Sequence, residues 1–346
     1  MKIYNVKMLT IIAGITLCSC DKILLEEQVP DNPVSNFDYL WYDFNQMYGL
    51  FDVKKINWDS LYTVYRPMVN IHSSDQELYN AITGLMGHLN DGHVALWPTN
   101  LNLDKYNSDS LSKLGSRKDF KYSVVKEHYL IEEKSFSDII KYGKLPNNIG
   151  YIYISDMSSS QKHYKKAMNE ILKYLRNTKA IVIDVRKNGG GWDLTTRTIG
   201  GRFFTQKMLY LIAKRRNGPE HDDFTEPINY FIEPYGDFQY TNPMVVLTHR
   251  ETGSAAETFL LGMKRRNDLI QIGDTTSGRF SDAIKRELPN GWLYSVSIGD
   301  YRDYNNVSWE GIGVPPDIVV QNDSTDVNNG IDKTMEAAID YLNKVK

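Results

Sequence analysis

Ala180-Ile181-Val182-Ile183-Asp184-Val185-Arg186-Lys187-Asn188-Gly189-Gly190-Gly191-Trp192 decides how this chain is built. Ala180–Val185 is a short apolar run of the kind that forms a strand buried on both faces. Asn188–Gly191 then makes a glycine loop, and a helix resumes near Leu194–Phe204. The same alternation extends both ways. Upstream, Ile149–Ile154 reads as a strand, and Met168, Ile171, Leu172 and Leu175 fall at helical spacing. Downstream come a buried strand at Met244–Leu247, a turn at Thr252-Gly253 and a helix from Ser254 to about Met263. Ile270–Ile272 and Leu293–Ile298 are further strands, and Met335, Ala338, Ile339 and Leu342 mark a last helix. Strands alternating with helices predict an α/β core with a partly parallel sheet.

Before that core, Phe37 to about Trp97 reads as helical. Ser74-Asp75-Gln76-Glu77 is a capping box, followed by Leu78, Ile82, Leu85, Met86 and Leu89 at helical spacing. Asn90-Asp91-Gly92 ends that helix and delivers His93 to a loop. Residues 98–145 are polar and irregular, with a strand pair predicted around Phe120–Val125 and His128–Glu132. The divisions read from the sequence are a leader at 1–19, a tether at 20–36, a helical N-terminal domain at 37–97, a connector at 98–145 and the α/β core at 146–346.

The 346 residues carry 40 Lys+Arg against 43 Asp+Glu, a net charge of −3, which is not the footprint of a nucleic-acid binder. Two cysteines cannot build a disulfide framework or a four-thiolate zinc site. Lys2 and Lys7 precede an apolar run from Met8 to Leu17, too short to span a bilayer and typical of a secretory signal. It ends Leu17-Cys18-Ser19-Cys20, which resembles the bacterial lipobox. That resemblance implies lipidation of Cys20, loss of Cys18, and a lipoprotein of the cell envelope, periplasmic or surface-facing, with no thiol left for catalysis or metal binding.

Three loops carry chemistry-bearing residues. Ser254 stands at a strand-to-helix turn, where unpaired N–H groups and the helix dipole favour negative charge. Ser254-x-x-Glu257 is also a capping box, so an N-cap reading stands beside a nucleophile. The glycine loop 188–191 lets backbone N–H groups approach a ligand, as an oxyanion site requires, or it is simply a tight turn held by Asp184 and Arg186. His93, one of seven histidines, is the loop imidazole suited to general-base work. No histidine pair has metal-binding spacing with a plausible glutamate, and no metal or cofactor is called for.

Five stretches together resemble the serine peptidases of the C-terminal processing peptidase family, which includes tail-specific proteases and the tricorn protease core. In order they are Leu89–His93, Ile149–Ile152, Asp184-x-Arg186-x-Asn188-x-Gly190-Gly191, Thr252–Glu257, and Glu310-Gly311-Ile312-Gly313-Val314-Pro315-Pro316-Asp317. The resemblance implies a crotonase/ClpP-like α/β core sheet behind the helical N-terminal domain. It also implies acyl transfer, with Ser254 as nucleophile, His93 as base and Glu310 orienting the imidazole. Ala255 and Gly190 or its neighbour would supply the oxyanion donors, and Gly189, Gly191 and Trp192 would line the substrate groove.

One branch of that family uses a serine–lysine dyad, but Gly273-Asp274-Thr275-Thr276-Ser277-Gly278-Arg279 puts arginine at the lysine position. Arginine stays protonated and cannot take the serine proton. The tricorn branch has serine before its histidine, whereas this chain has Gly92. The stretch 98–148 is too short for the PDZ domain that captures protein C-termini in processing peptidases, so short peptides or unfolded segments are the substrates the resemblance implies. A non-catalytic ligand- or peptide-binding lipoprotein on the same scaffold is the alternative, since fold does not prove hydrolysis. A crotonase-like acyl-thioester enzyme fits less well, because coenzyme A thioesters are not expected beyond the cytoplasm.

Overall fold

Four helices open the structured chain: α1 (Pro33–Met47), α2 (Phe51–Lys54), α3 (Trp58–Tyr65) and α4 (Asp75–Gly87). Asn32, Asn57 and Ser74 begin three of them, each accepting the backbone N–H three residues on. The capping box predicted at Ser74–Glu77 is present. Phe37, Leu40 and Phe44 of α1 and Leu78, Ile82 and Leu85 of α4 bury one shared apolar face. The computed structural model describes residues 29–100, 102–111 and 118–345. The predicted leader and Cys20 lie outside the described residues.

The helical reading of 37–97 stops short of its end. Ala95–Trp97 is a strand, β1, paired with β2 (Tyr106–Asn107). A second difference follows at the predicted strand pair. Tyr122–His128 is a helix, α5, and the hairpin lies later, in β3 (Glu132–Ser137) and β4 (Ile140–Leu145). Val124 and Val125 supply the β-branched signal there, but both are buried from a single helical turn, so packing overrides propensity.

The core is a 7-stranded sheet in the order β14-β10-β9-β6-β5-β4-β3. Its parallel part comprises β5 (Ile149–Ile154), β6 (Ala180–Asp184), β9 (Met244–Thr248), β10 (Leu269–Gly273) and β14 (Ile318–Val319). Side chains alternate across it. Ile181 and Ile183 pack with Met168, Ile171 and Leu172 of α6 (Gln161–Leu175) and with Phe259 and Leu260 of α8 (Ala255–Met263). Ala180 and Val182 pack on the other face with Met335, Ala338 and Leu342 of α10 (Lys333–Lys344). Helices on both faces explain why β6 is apolar up to its last residue, Asp184.

Three strands with no clear sequence signal, β7 (Met208–Arg215), β8 (Ile228–Ile232) and β13 (Gly299–Asp303), form a separate sheet in the order β13-β7-β8. It packs Tyr210, Ile232 and Tyr301 into the same cluster as α7 (Asp193–Gly200) and α8. The hairpin β11 (Ala283–Glu287) and β12 (Leu293–Ser297) pairs with β1 and buries Trp292, Tyr294 and Val296 among the N-terminal helices. A short helix, α9 (Ser324–Asn328), precedes α10. The architecture is the mixed α/β one that the sequence predicts. Loops after β6, β9 and β10 leave the carboxyl ends of adjacent parallel strands, where open α/β sheets collect ligands. The β1–β12 pairing brings the His93 loop to meet them.

Candidate active site

The loop after β6 is built from its charged residues upward. Arg186 binds Asp184 through two hydrogen bonds, Nε to Oδ1 at 3.0 Å and Nη2 to Oδ2 at 2.7 Å. Its Nη1 reaches Asp332, the N-cap of α10, at 2.8 Å, and the guanidinium lies 4.0 Å from the Phe120 ring centre. All three charged groups are buried, so they act as a buttress and do not face a ligand. Asn188 continues the work: its Nδ2 donates to Ile154 O at 3.0 Å and its Oδ1 accepts the Gly190 N–H at 2.9 Å. The Gly253 N–H donates to Asn188 O at 3.0 Å, which fastens the glycine loop to the serine loop.

Gly190 and Gly191 have φ of +110° and +148°, a region that disfavours side chains. A Cβ on Gly190 would lie 2.6 Å from Ser254 Cβ and 2.9 Å from Ala255 N. Gly190 therefore forms the wall beside the serine, and the predicted oxyanion role of its N–H is corrected, because Asn188 already holds that proton. Ala255 opens α8, where a first-turn N–H has no partner within the helix. Gly189 and Gly191 carry the loop's remaining donors. Trp192 is 65% exposed, with its indole N–H on Ser158 O at 2.7 Å.

Ser254 does not have the backbone of an ordinary N-cap. Ser74 and Ser160 cap their helices with φ of −69° and ψ near the extended region. Ser254 has φ +53° and ψ −124°, a sparsely populated conformation for a residue with a side chain. Its N–H donates to Glu257 Oε2 at 2.9 Å, so the glutamate half of the predicted capping box is built. Glu257 does more than that. It is fully buried and also accepts from Thr276 Oγ1 (2.6 Å), Gly278 N (2.7 Å) and Arg279 N (2.8 Å), clamping the loop after β10 to the serine turn. Burial pushes its carboxyl up, against the pull of these four donors. A lone carboxylate in the otherwise apolar Ala255–Met263 was the sequence signal for this role.

His93 sits half-buried in its loop. Asp91 fixes that loop: its Oδ1 accepts the His93 N–H at 2.8 Å and its Oδ2 accepts the Tyr48 hydroxyl at 3.1 Å. The His93 carbonyl accepts from Ser295 Oγ at 2.6 Å. Burial lowers the imidazole pKa, Asp91 and Asp282 oppose this and Arg279 adds to it. Arg279 is the joint between the two halves. Its guanidinium is paired with Asp109, a Cβ on Gly92 would lie 2.1 Å from its Nε, and a Cβ on Gly253 would lie 3.8 Å from its Cδ. The histidine and serine loops thus flank one side chain, beside a cleft of about 330 Å³ lined by Gly92, Ser277, Gly278 and Arg279.

Glu310 arrives differently from its predicted role. Its Oε1 pairs with Lys54 Nζ at 3.1 Å and its Oε2 accepts the Phe280 N–H at 2.7 Å. Burial pushes its carboxyl up to about 8, with Asp91 adding to the rise and Lys54 opposing it. Among the described residues no hydrogen bond joins Glu310 to His93 or His93 to Ser254, and His93 Nδ1 is buried without a partner. The carboxylates whose field acts on His93 are Asp91 and, to a lesser degree, Asp282. Among the described residues there is no cluster of His, Cys, Asp and Glu that would hold a metal.

Comparison with known proteins matches residues 148–320 to peptidase family S41 and residues 31–87 to the tricorn protease C1 domain. The tricorn protease of Thermoplasma volcanium is 27% identical over 200 residues, covering 56% of this chain and 17% of that protein. The carboxy-terminal processing protease CtpB of Bacillus subtilis is 24% identical over 217 residues, covering 62% of this chain and 42% of that protein. The chain thus spans less than half the length of either. A solved candidate peptidase from Parabacteroides merdae superposes with a TM-score of 0.80 at 27% identity, covering 90% of this chain and 97% of that one.

Proposed function

The chain belongs to peptidase family S41, and on that premise we propose that it is a serine peptidase cutting peptides or unfolded protein segments. The observation that carries the reading is the strained Ser254 turn, set at a helix start against a glycine wall. Ser254 Oγ attacks the peptide carbonyl while neutral His93 takes its proton. The tetrahedral oxyanion is held by the Ala255 N–H and a donor of the Gly189–Gly191 loop. His93 returns the proton to the departing amine, and water then releases the acyl group from Ser254. Asp91 stabilises the imidazolium electrostatically, the part the family resemblance implied for Glu310. Glu310 instead braces Lys54 and the Phe280 backbone behind the histidine loop. In this reading the enzyme is exported and held at the bacterial cell envelope by lipid on Cys20.

The purified chain lacking residues 1–19 should hydrolyse an unfolded protein, and the Ser254→Ala variant should not. Cleavage that survives Ser254→Ala overturns the assignment. The second reading, a peptide-binding protein on the same scaffold, is favoured by one observation, the unpartnered His93 Nδ1. It predicts binding of unfolded peptide without any cleavage.

A further inference from the structure

Beyond Trp192 lies a second depression of about 350 Å³, enclosed by α6, α7 and β8. Its construction follows from periodicity. Asn229 and Phe231 alternate onto one face of β8, Leu194 and Arg197 share a face of α7, and Lys165 projects from α6. Two cations and one carboxylate line the depression. Lys165 Nζ lies 5.5 Å from the Tyr235 ring centre and Arg197 Cζ lies 5.6 Å from that of Tyr230, both facing aromatic rings. The carboxylate on the rim, Glu233, is paired with Lys207 at 2.7 Å. Among the described residues neither Lys165 nor Arg197 has a salt-bridge partner, although Asp193 and Glu233 lie within the field of Arg197, and Arg197 Nε is buried with no hydrogen bond. Beneath Tyr235, buried Arg202 is satisfied by the Phe238 carbonyl and Asn169, with no carboxylate among those partners.

A lysine with no salt-bridge partner and an arginine with an orphaned Nε around one depression are what a carboxylate satisfies. Position adds to the argument. Helix α7 begins directly after Trp192, and Arg197 follows Asp193 by one turn. The helix that carries Arg197 thus continues from the glycine loop that walls Ser254. We propose that the depression is a subsite for a carboxylate of the substrate, either an Asp or Glu side chain or the free C-terminus. This deepens, and rests on, the peptidase reading. It would give a chain without room for a PDZ domain between residues 98 and 148 its own means of selecting acidic peptides.

The test uses a peptide set sharing one cleavable sequence, with Glu or Gln at successive positions either side of the scissile bond, and with a free or amidated C-terminus. One Glu position, or the free terminus, should raise kcat/KM, which identifies the source of the carboxylate. Lys165→Ala, and separately Arg197→Gln, should raise KM for that peptide by about tenfold and leave its kcat and the neutral peptide unchanged. Labelling of Ser254 by a fluorophosphonate should not change. Equal handling of acidic and neutral peptides, or equal loss on both, overturns the subsite. If Ser254 is not labelled at all, the peptidase reading has failed. Anisotropy of the same fluorescent peptides on the Ser254→Ala chain then decides: tighter binding of the carboxylate peptide that Lys165→Ala abolishes supports the subsite, and equal binding ends it.

Discussion

Gly190 and Ser254 are packed so closely that a Cβ on the glycine would lie 2.6 Å from the serine Cβ. Real Cβ atoms do not approach to that distance, and φ of +110° at Gly190 adds strain to any side chain. Gly190→Ala should therefore push Ser254 out of line. We expect turnover to fall by about a hundredfold or more, as an ångström-scale displacement of a nucleophile does. Full kcat/KM in the folded Gly190→Ala enzyme would show that the glycine is only a turn residue.

Glu257 holds four donors from two segments, so its replacement should loosen the whole serine turn. Glu257→Gln puts an amide N–H where a carboxylate oxygen accepted one, leaving donor facing donor. We expect a loss of about 3 kcal/mol in urea unfolding, with activity falling too. A stability change within about 0.5 kcal/mol, the range of a surface substitution, contradicts the clamp.

The pH dependence has two opposite signs. His93 must be neutral to take the serine proton, and its pKa is lowered below 6.5, so the acid limb of kcat/KM should lie below pH 6.5. Its contribution to stability is present above 6.5 and is lost as pH falls through the folded value. Glu310 runs the other way. Its folded pKa of about 8 exceeds the ordinary 4.5, so its contribution is full below 4.5 and is lost as pH rises through 8. Glu310→Gln should flatten the decline in unfolding free energy between pH 5 and 8, measured by urea titration. An unchanged slope in that variant rejects the assignment.

Gly92 stands where the tricorn branch has serine, yet restoring serine should not help. A Cβ there would meet Arg279 at 2.1 Å (Nε) and 2.3 Å (Cδ), and Asp109 anchors that side chain. Gly92→Ser alone should lower kcat/KM, and Gly92→Ser with Arg279→Ala should recover part of the loss. A single Gly92→Ser variant more active than the parent chain runs against the packing of this joint.

The parallel core was legible because β6 and β9 are apolar on both faces and end in glycine turns, a pattern that local sequence carries. Helix α4 was legible from its cap and its period. β7 and β13 were not, since they pair across the whole α8 and β10 region and Met208–Arg215 is only partly buried. Tyr122–His128 misled because two valines look alike in a strand and in a half-buried turn. At the site, Ser254 and Gly190 came from local chemistry, but the partners of the imidazole did not. Asp91 is two residues from His93 and reads as a turn former, while the pairing of Glu310 with Lys54 spans most of the chain. Distant ion pairs leave no periodic trace in a sequence.

The central claim is that Ser254 is a nucleophile activated by His93. A fluorophosphonate probe followed by peptide mapping tests it most directly. One adduct per chain, on Ser254, absent in Ser254→Ala and strongly slowed in His93→Ala, is the result predicted. A chain that stays unlabelled while folded, or an adduct on any other residue, contradicts it.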